Sequence, residues 1–263
     1  MNGEAAGTHP ARRANTLEII TWGSGDRVLL VHGSLFDGPT TWAQQRPLSE
    51  RWCLNVVQRR GFGSSRPADG EDFEHDADDL CALLADPAHV VAHSYGTIGA
   101  LLAAARRPRA VRSLTLIEPT VVSAGMDDPE VADAVARIAD WWLGAPQDPA
   151  EFLAGYSALL GVRVPDLGDG RRGLRHAARF LRSCRPPWTA EVPFERVAEA
   201  RIPALVLSGG HSPALDAVAA TVAWKTGGKH TVIPGAGHAI QRAADVFNPE
   251  LERHLLRAQG EPA

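Results

Sequence analysis

The sequence predicts an α/β fold: a mostly parallel sheet with helices on both faces and an inserted helical segment. Seven short apolar runs alternate with helical patterns, the rhythm of right-handed βαβ crossovers. Most of these runs are continuous rather than alternating, as strands covered on both faces are. The polar motifs fall just past strands, at His32-Gly33-Ser34, Ser94, Glu118, Gly209-Gly210 and His238. Open parallel sheets bind ligands beyond the carboxyl ends of their strands.

From the N-terminus, residues 1–15 are small and polar, with Arg12 and Arg13 and no apolar stretch, and read as a loose tail rather than a signal peptide. Leu17 to Trp22 alternates apolar and polar residues, the pattern of an edge strand. Val28 to Val31 leads into His32-Gly33, and Cys53 to Val57 leads toward the turn Arg60-Gly61-Phe62-Gly63-Ser64-Ser65. Val90 to Ala92, Ser113 to Ile117, Ala204 to Leu207 and His230 to Ile233 complete the strands.

Between Glu118 and Ile202 the strand rhythm stops and three helical stripes replace it. They are Val131, Val135, Ile138, Trp142; then Phe152, Tyr156, Leu159; then Leu174, Ala178, Leu181. Arg172, Arg175, Arg179 and Arg182 share another face of the third, read as a solvated face with anion recognition as the other reading. Pro146, Pro165 and Pro186-Pro187 punctuate the stretch. The expected organisation is a tail at 1–15, a core from 16–120 and 201–263, and a helical lid at 121–200.

With 263 residues, 44% hydrophobic and 22% charged, the chain has the composition of a folded globular protein. Its net charge of −4 speaks against a nucleic-acid partner. Cys53, Cys81 and Cys184 are odd in number and far apart, which indicates neither a disulfide frame nor a zinc site. No run is long enough to cross a bilayer, so no membrane association is expected and the cytoplasm is the default location. The oligomeric state is not legible.

The run Val90-Val91-Ala92-His93-Ser94-Tyr95-Gly96 leads into the small-residue-rich stretch Gly99 to Ala105. A serine at such a strand-to-helix turn is held out from the backbone between small neighbours, as in a nucleophile elbow. Ala92 stands where such a motif usually has its first glycine. A serine hydroxyl needs a base. His238, in the glycine-rich loop Gly235-Ala236-Gly237-His238 after the last strand, is the candidate. Adjacent residues on an extended strand face opposite ways, so His93 points to the packed side or supports the elbow. His32 is read as a brace for its loop, and the other histidines, His211 among them, have no comparable context.

In this order and spacing these motifs make the chain resemble the α/β-hydrolases, from about Leu17 to Leu256, the insertion matching least. The resemblance implies the α/β-hydrolase fold and a serine hydrolase that cleaves a small apolar carboxylic ester or lactone through an acyl-enzyme. No cofactor or metal is expected. A serine at 94 speaks against the dehalogenase and epoxide-hydrolase chemistry of this family, which uses a carboxylate nucleophile. The oxyanion would rest on backbone N–H groups of Tyr95 and Ser34, with Leu35 second to Ser34.

In most members the acid follows the strand that here is Ala204 to Leu207, where this sequence has Ser212. Glu118, ending the strand after the nucleophile's own, is the preferred substitute, with Asp216 behind it. Haloalkane dehalogenases and fungal zearalenone-opening lactone hydrolases place their acid after that strand. Leu35, Phe36, Trp141, Trp142, Trp188 and Ile240 are expected to contact substrate, with core packing as the competing reading for each. Carbon–carbon bond hydrolysis, thioester hydrolysis and cofactor-free perhydrolysis remain open on the same residues. So does a ligand-binding homologue without turnover.

Overall fold

The computed structural model describes residues 17–160 and 170–260. The expected tail at 1–15 and Pro165 lie outside them, as do the side chains of Arg172 and Leu174. Seven strands form one sheet: β1 (Ile19–Trp22), β2 (Asp26–Val31), β3 (Trp52–Val57), β4 (Ala88–His93), β5 (Val111–Ile117), β6 (Ala204–Ser208) and β7 (Lys229–Val232). Their order is β1-β3-β2-β4-β5-β6-β7. Strand β1 is antiparallel to β3, and the other neighbours are parallel. Each matches an apolar run read from the sequence to within two residues, because strands buried on both faces leave continuous Val, Leu and Ile segments.

The register brings three strand ends level. His93 of β4 lies opposite Ile117 of β5, and Ile117 lies opposite Leu207 of β6. Ser94, Glu118 and Ser208 therefore leave the sheet side by side. The Ser94 N–H donates to Ile117 O at 2.9 Å, and the Glu118 N–H donates to Leu207 O at 2.8 Å.

Helices cover both faces. On one, α1 (Gly38–Trp42) and α9 (Ala244–Gln259) bury Trp42, Phe247 and Leu251 against Val28, Leu30 and Val91. On the other, α2 (Phe73–Leu83), α3 (Gly96–Arg106) and α8 (Pro213–Thr226) pack on Leu29, Val31, Val90 and Ala92. Val91 faces one side and Val90 with Ala92 the other, as strand periodicity requires. Each such side chain contributes roughly 1.5–3 kcal/mol by leaving water. Ala92 is fully buried, so the methyl in place of the elbow's first glycine is accommodated inside the core. Ser212 has a local role: it caps α8 by accepting from the Leu215 N–H, with Pro213 at the first turn.

The segment between β5 and β6 carries α4 (Pro129–Leu143), α5 (Pro149–Leu160), α6 (Gly170–Arg182) and α7 (Phe194–Glu199). The three apolar stripes fall on α4, α5 and α6. The six-residue α7 is too short for periodicity to register in the sequence. Val131 and Val135 of α4 join the core on the α3 side of the sheet, whereas Phe152, Leu153, Ala178 and Leu181 make a separate small core. Arg175 and Arg179 are exposed to solvent, and the Arg182 guanidinium lies 4.1 Å over the Phe152 ring. Among the described residues no helix is long and apolar enough to cross a membrane, and all three cysteines are free thiols.

Candidate active site

Three residues with unusual backbone converge at the carboxyl edge of the sheet. Ser94 (φ +50°), Glu118 (φ +49°) and Leu35 (φ +74°) all occupy the left-handed region without being glycine. Such conformations cost of order 1–3 kcal/mol each and persist only where their surroundings over-determine them. At Ser94 the cause is the sharp turn from β4 into α3. Neighbouring glycines make the turn possible: a Cβ on Gly96 would stand 2.4 Å from His32 O, and one on Gly33 would stand 2.8 Å from Ser94 Cβ.

Ser94 Oγ lies 2.8 Å from His238 Nε2, and His238 Nδ1 lies 3.1 Å from Glu118 Oε2. Residues 94, 118 and 238 thus form one unbroken hydrogen-bonded chain. Glu118 is fully buried, and its other oxygen accepts from the Gly209 N–H at 2.5 Å. Asp216 stands apart from this chain and accepts from the Gly210 N–H at 3.3 Å. Burial pushes the Glu118 carboxyl up to about 7, against the opposing pull of the Gly209 N–H. Burial, with His211 nearby, pushes the His238 imidazole down to about 3.

His93, on the Val91 side of β4, supports the loop that bears His238. Its Nε2–H donates to His238 O at 2.9 Å, and burial drives its ring down to about 3, so it acts as a neutral donor. His32 is likewise neutral, held well below the usual imidazole range by burial and then by Arg59. Its Nδ1–H donates to Gly33 O at 2.7 Å, and its Nε2 accepts from the Arg59 N–H at 3.1 Å. It therefore ties the Gly33–Leu35 loop to the end of β3.

Beneath that loop lies a buried ionic group that sequence reasoning did not find. The Ser34 hydroxyl donates to Glu71 Oε2 at 2.7 Å. Arg59 reaches Asp76 Oδ2 at 2.6 Å, Gly33 O at 3.2 Å and Glu71 Oε2 at 3.7 Å. Desolvation raises both carboxyls while Arg59 pulls them down. One guanidinium thus holds two acids and the backbone of the Ser34 loop. Nothing in the spacing of residues 59, 71 and 76 announces this arrangement. His211 was also missed: its Nδ1 lies 3.8 Å from Glu118 Oε1. The legible signal was its position, directly after Gly209-Gly210 at the same sheet edge.

Tyr95 stands at the head of α3, where the first N–H groups have no acceptor within the helix. Its hydroxyl lies 2.9 Å from Arg185 O and 3.1 Å from Glu71 O, joining the elbow to the insertion. Beside Ser94 opens a cavity of about 60 Å³. Ser34, Tyr95, Trp142, Tyr156 and Trp188 line it, among mainly apolar neighbours and, among the described residues, without a charged side chain.

Of the expected substrate contacts, Trp142 and Trp188 line this cavity; four do not. Trp141 turns onto Gly155 and Phe152. Leu35 packs against the insertion's small core, and Phe36 lies beneath the Arg242 guanidinium at 5.1 Å. Ile240 is fully buried with Trp42 and Phe247 on the opposite face of the sheet.

The fold is that of the α/β hydrolases. The chain belongs to the α/β hydrolase family, whose model matches residues 28–250. It is similar to 2-(acetamidomethylene)succinate hydrolase of Mesorhizobium japonicum, at 28% identity over 252 residues and 87% of each chain. It is also similar to the pimeloyl-[acyl-carrier protein] methyl ester esterase of Methylococcus capsulatus, at 32% identity over 180 residues and 65% of each chain. Among solved structures, an α/β hydrolase from Sphaerobacter thermophilus superposes with a TM-score of 0.65 at 23% identity. That match covers 90% of this chain and 95% of the other, and it shows the shared fold.

Proposed function

We propose that this protein is a serine esterase that cleaves a small, uncharged carboxylic ester or lactone through an acyl-enzyme. The reading rests above all on the continuous chain from Ser94 Oγ through His238 to Glu118, opening on an apolar cavity. Ser94 attacks the carbonyl as His238 Nε2 takes its proton. The backbone N–H groups of Tyr95 and Ser34 hold the tetrahedral oxyanion. His238 then returns the proton to the leaving alkoxide, and water repeats the sequence on the acyl-enzyme. Glu118 holds His238 with its proton on Nδ1 and stabilises the imidazolium as it forms. The segment 121–200 serves as the lid, and its Trp142 and Trp188 shape the acyl or alcohol pocket.

The absence of charge among the described residues lining the cavity favours a neutral substrate over a dicarboxylate such as the one named for the Mesorhizobium relative. An acid after β5 is the placement used by zearalenone-opening lactone hydrolases, which keeps a lactone within the proposal. The free thiols suit a reducing cytoplasm.

A fluorophosphonate probe is expected to label one serine per chain, Ser94, and wild-type protein to turn over p-nitrophenyl esters. Absence of both in folded protein would overturn the reading and favour a binding protein.

The pH profile follows from the buried pair. The competent form has Glu118 ionised and His238 neutral with a free lone pair on Nε2. One added proton destroys it wherever it settles. On His238 it occupies Nε2. On Glu118 it donates to Nδ1 and shifts the imidazole's own proton to Nε2. The pair therefore titrates as a unit. Because burial raises Glu118 to about 7, kcat/KM is expected to climb as pH rises through neutrality, with no fall in the alkaline range due to this pair. A profile already flat from pH 5 upward would contradict it.

A further inference from the structure

We infer that Glu118, His211 and His238 form a binding site for a divalent transition metal, zinc above all, and that its occupation switches the hydrolase off. Three distant segments bring these side chains together: the end of β5, the loop after β6 and the loop after β7. One ligand atom from each lies within 4.8 Å of the others. Two of the separations are 3.1 Å (His238 Nδ1 to Glu118 Oε2) and 3.8 Å (His211 Nδ1 to Glu118 Oε1). These run to the two different oxygens of one carboxylate; neighbouring ligands of a tetrahedral zinc with 2.0–2.1 Å bonds stand roughly 3.3 Å apart, so the three groups must draw together to close the site.

A second, independent observation points to a ligand. Both ring nitrogens of His211 are shielded from solvent and make no hydrogen bond among the described residues. Ring nitrogens that are buried without a hydrogen bond lose solvation and gain little in return. No hydrogen bond among the described residues fixes the orientation of its ring. Two imidazoles and one carboxylate are also a donor set that zinc prefers and that magnesium or calcium does not. The carboxylate itself sits in the core, with one backbone N–H and His238 as its hydrogen-bond partners among the described residues. A dication would neutralise it.

The consequence for His238 follows from proton accounting. Zinc takes the lone pair at Nδ1. The proton that Nδ1 donated to Glu118 moves to Nε2. The face turned to Ser94 then carries an N–H instead of a lone pair, and no base remains. Zinc binding stands by itself; the inhibition rests on the role proposed for His238.

The test is calorimetric titration of ZnCl2 into the full chain after dialysis against chelator. The expected result is one zinc per chain, with affinity lowered at least tenfold by His211→Gln and kept within about twofold by Ser94→Ala. Equal affinity for wild type and His211→Gln, or no zinc binding by wild type, would overturn the inference. If His211→Gln fails to fold, His211→Asn replaces it. Wild type loaded with Co²⁺ gives a readout that needs no variant, since its visible bands report tetrahedral nitrogen and oxygen ligation; octahedral bands would also overturn the site. Zinc is further expected to slow fluorophosphonate labelling at least tenfold, reversibly with EDTA, while Mg²⁺ at the same concentration does not. Equal slowing by Mg²⁺ would refute the switch. Failure of labelling in metal-free protein would instead sink the esterase reading and leave the titration standing.

Discussion

Glu118→Gln is expected to lower kcat by roughly 10³- to 10⁴-fold while leaving the fold intact. The structure gives a reason specific to this site. The Gly209 N–H donates to Oε1 at 2.5 Å, so the position facing Gly209 must remain an oxygen in the variant. The amide nitrogen then takes the place of Oε2 and presents N–H to His238 Nδ1. Nδ1 becomes an acceptor, the imidazole proton moves to Nε2, and Ser94 loses its base. Stability should not suffer, because the change removes a fully buried charge and keeps the Gly209 bond. Asp216→Asn is the matched control. Its carboxylate accepts from Gly210 and stands away from His238, so kcat should stay within about threefold, the kinetic weight of a surface polar change. Steady-state rates on a p-nitrophenyl ester, with thermal melts of each variant, check both statements. Similar activity in the two variants would remove Glu118 from its proposed role.

How much of this was legible before the structure depended on the kind of signal. Strands covered on both faces leave continuous apolar runs, so the sheet could be read element by element. The pairing of Glu118 with His238 was legible through an absence: Ser212 stands where an acid is usual, and it turns out to cap α8. The cavity lining was not legible. Trp141 and Trp142 are adjacent on α4, and only the packing of α4 on α5 decides that one faces the cavity while the other turns onto Gly155 and Phe152. Ile240 lies two residues past His238 in sequence, yet the chain turns it into the α9 side of the core. Arg59, Glu71 and Asp76 left no trace because their association crosses a loop and a helix with no fixed spacing. His211 was passed over for a similar reason: a lone histidine carries no pattern until the fold brings it against another residue.

Gly209→Ala should lower activity by about 10²-fold, less than loss of the acid, and unlike that change it should also cost stability. A Cβ at position 209 would stand 2.0 Å from Gly237 O and 2.7 Å from its carbonyl carbon. Both are backbone atoms with no rotamer to yield. Either the end of β6 moves, which pulls the Gly209 N–H from Glu118, or the Gly235–His238 loop moves, which pulls Nε2 from Ser94. Each route breaks the same chain of hydrogen bonds. Forced overpacking of this kind costs about 1–3 kcal/mol, or roughly 2–12 °C in Tm for a chain of this size. An ångström of misplacement at the reacting atoms costs about 10²-fold in rate. Two other glycines separate crowding from other effects. Gly235 has open space around its Cβ position but φ +80°, so Gly235→Ala should show backbone strain alone, about 1 kcal/mol with little loss of rate. Gly144 has open space and φ −105°, so Gly144→Ala should change neither. Thermal melts and kcat/KM measured across the three variants would order them 209, 235, 144. A Gly209→Ala enzyme as active as Gly144→Ala would mean that the loop bearing His238 is not held by this contact.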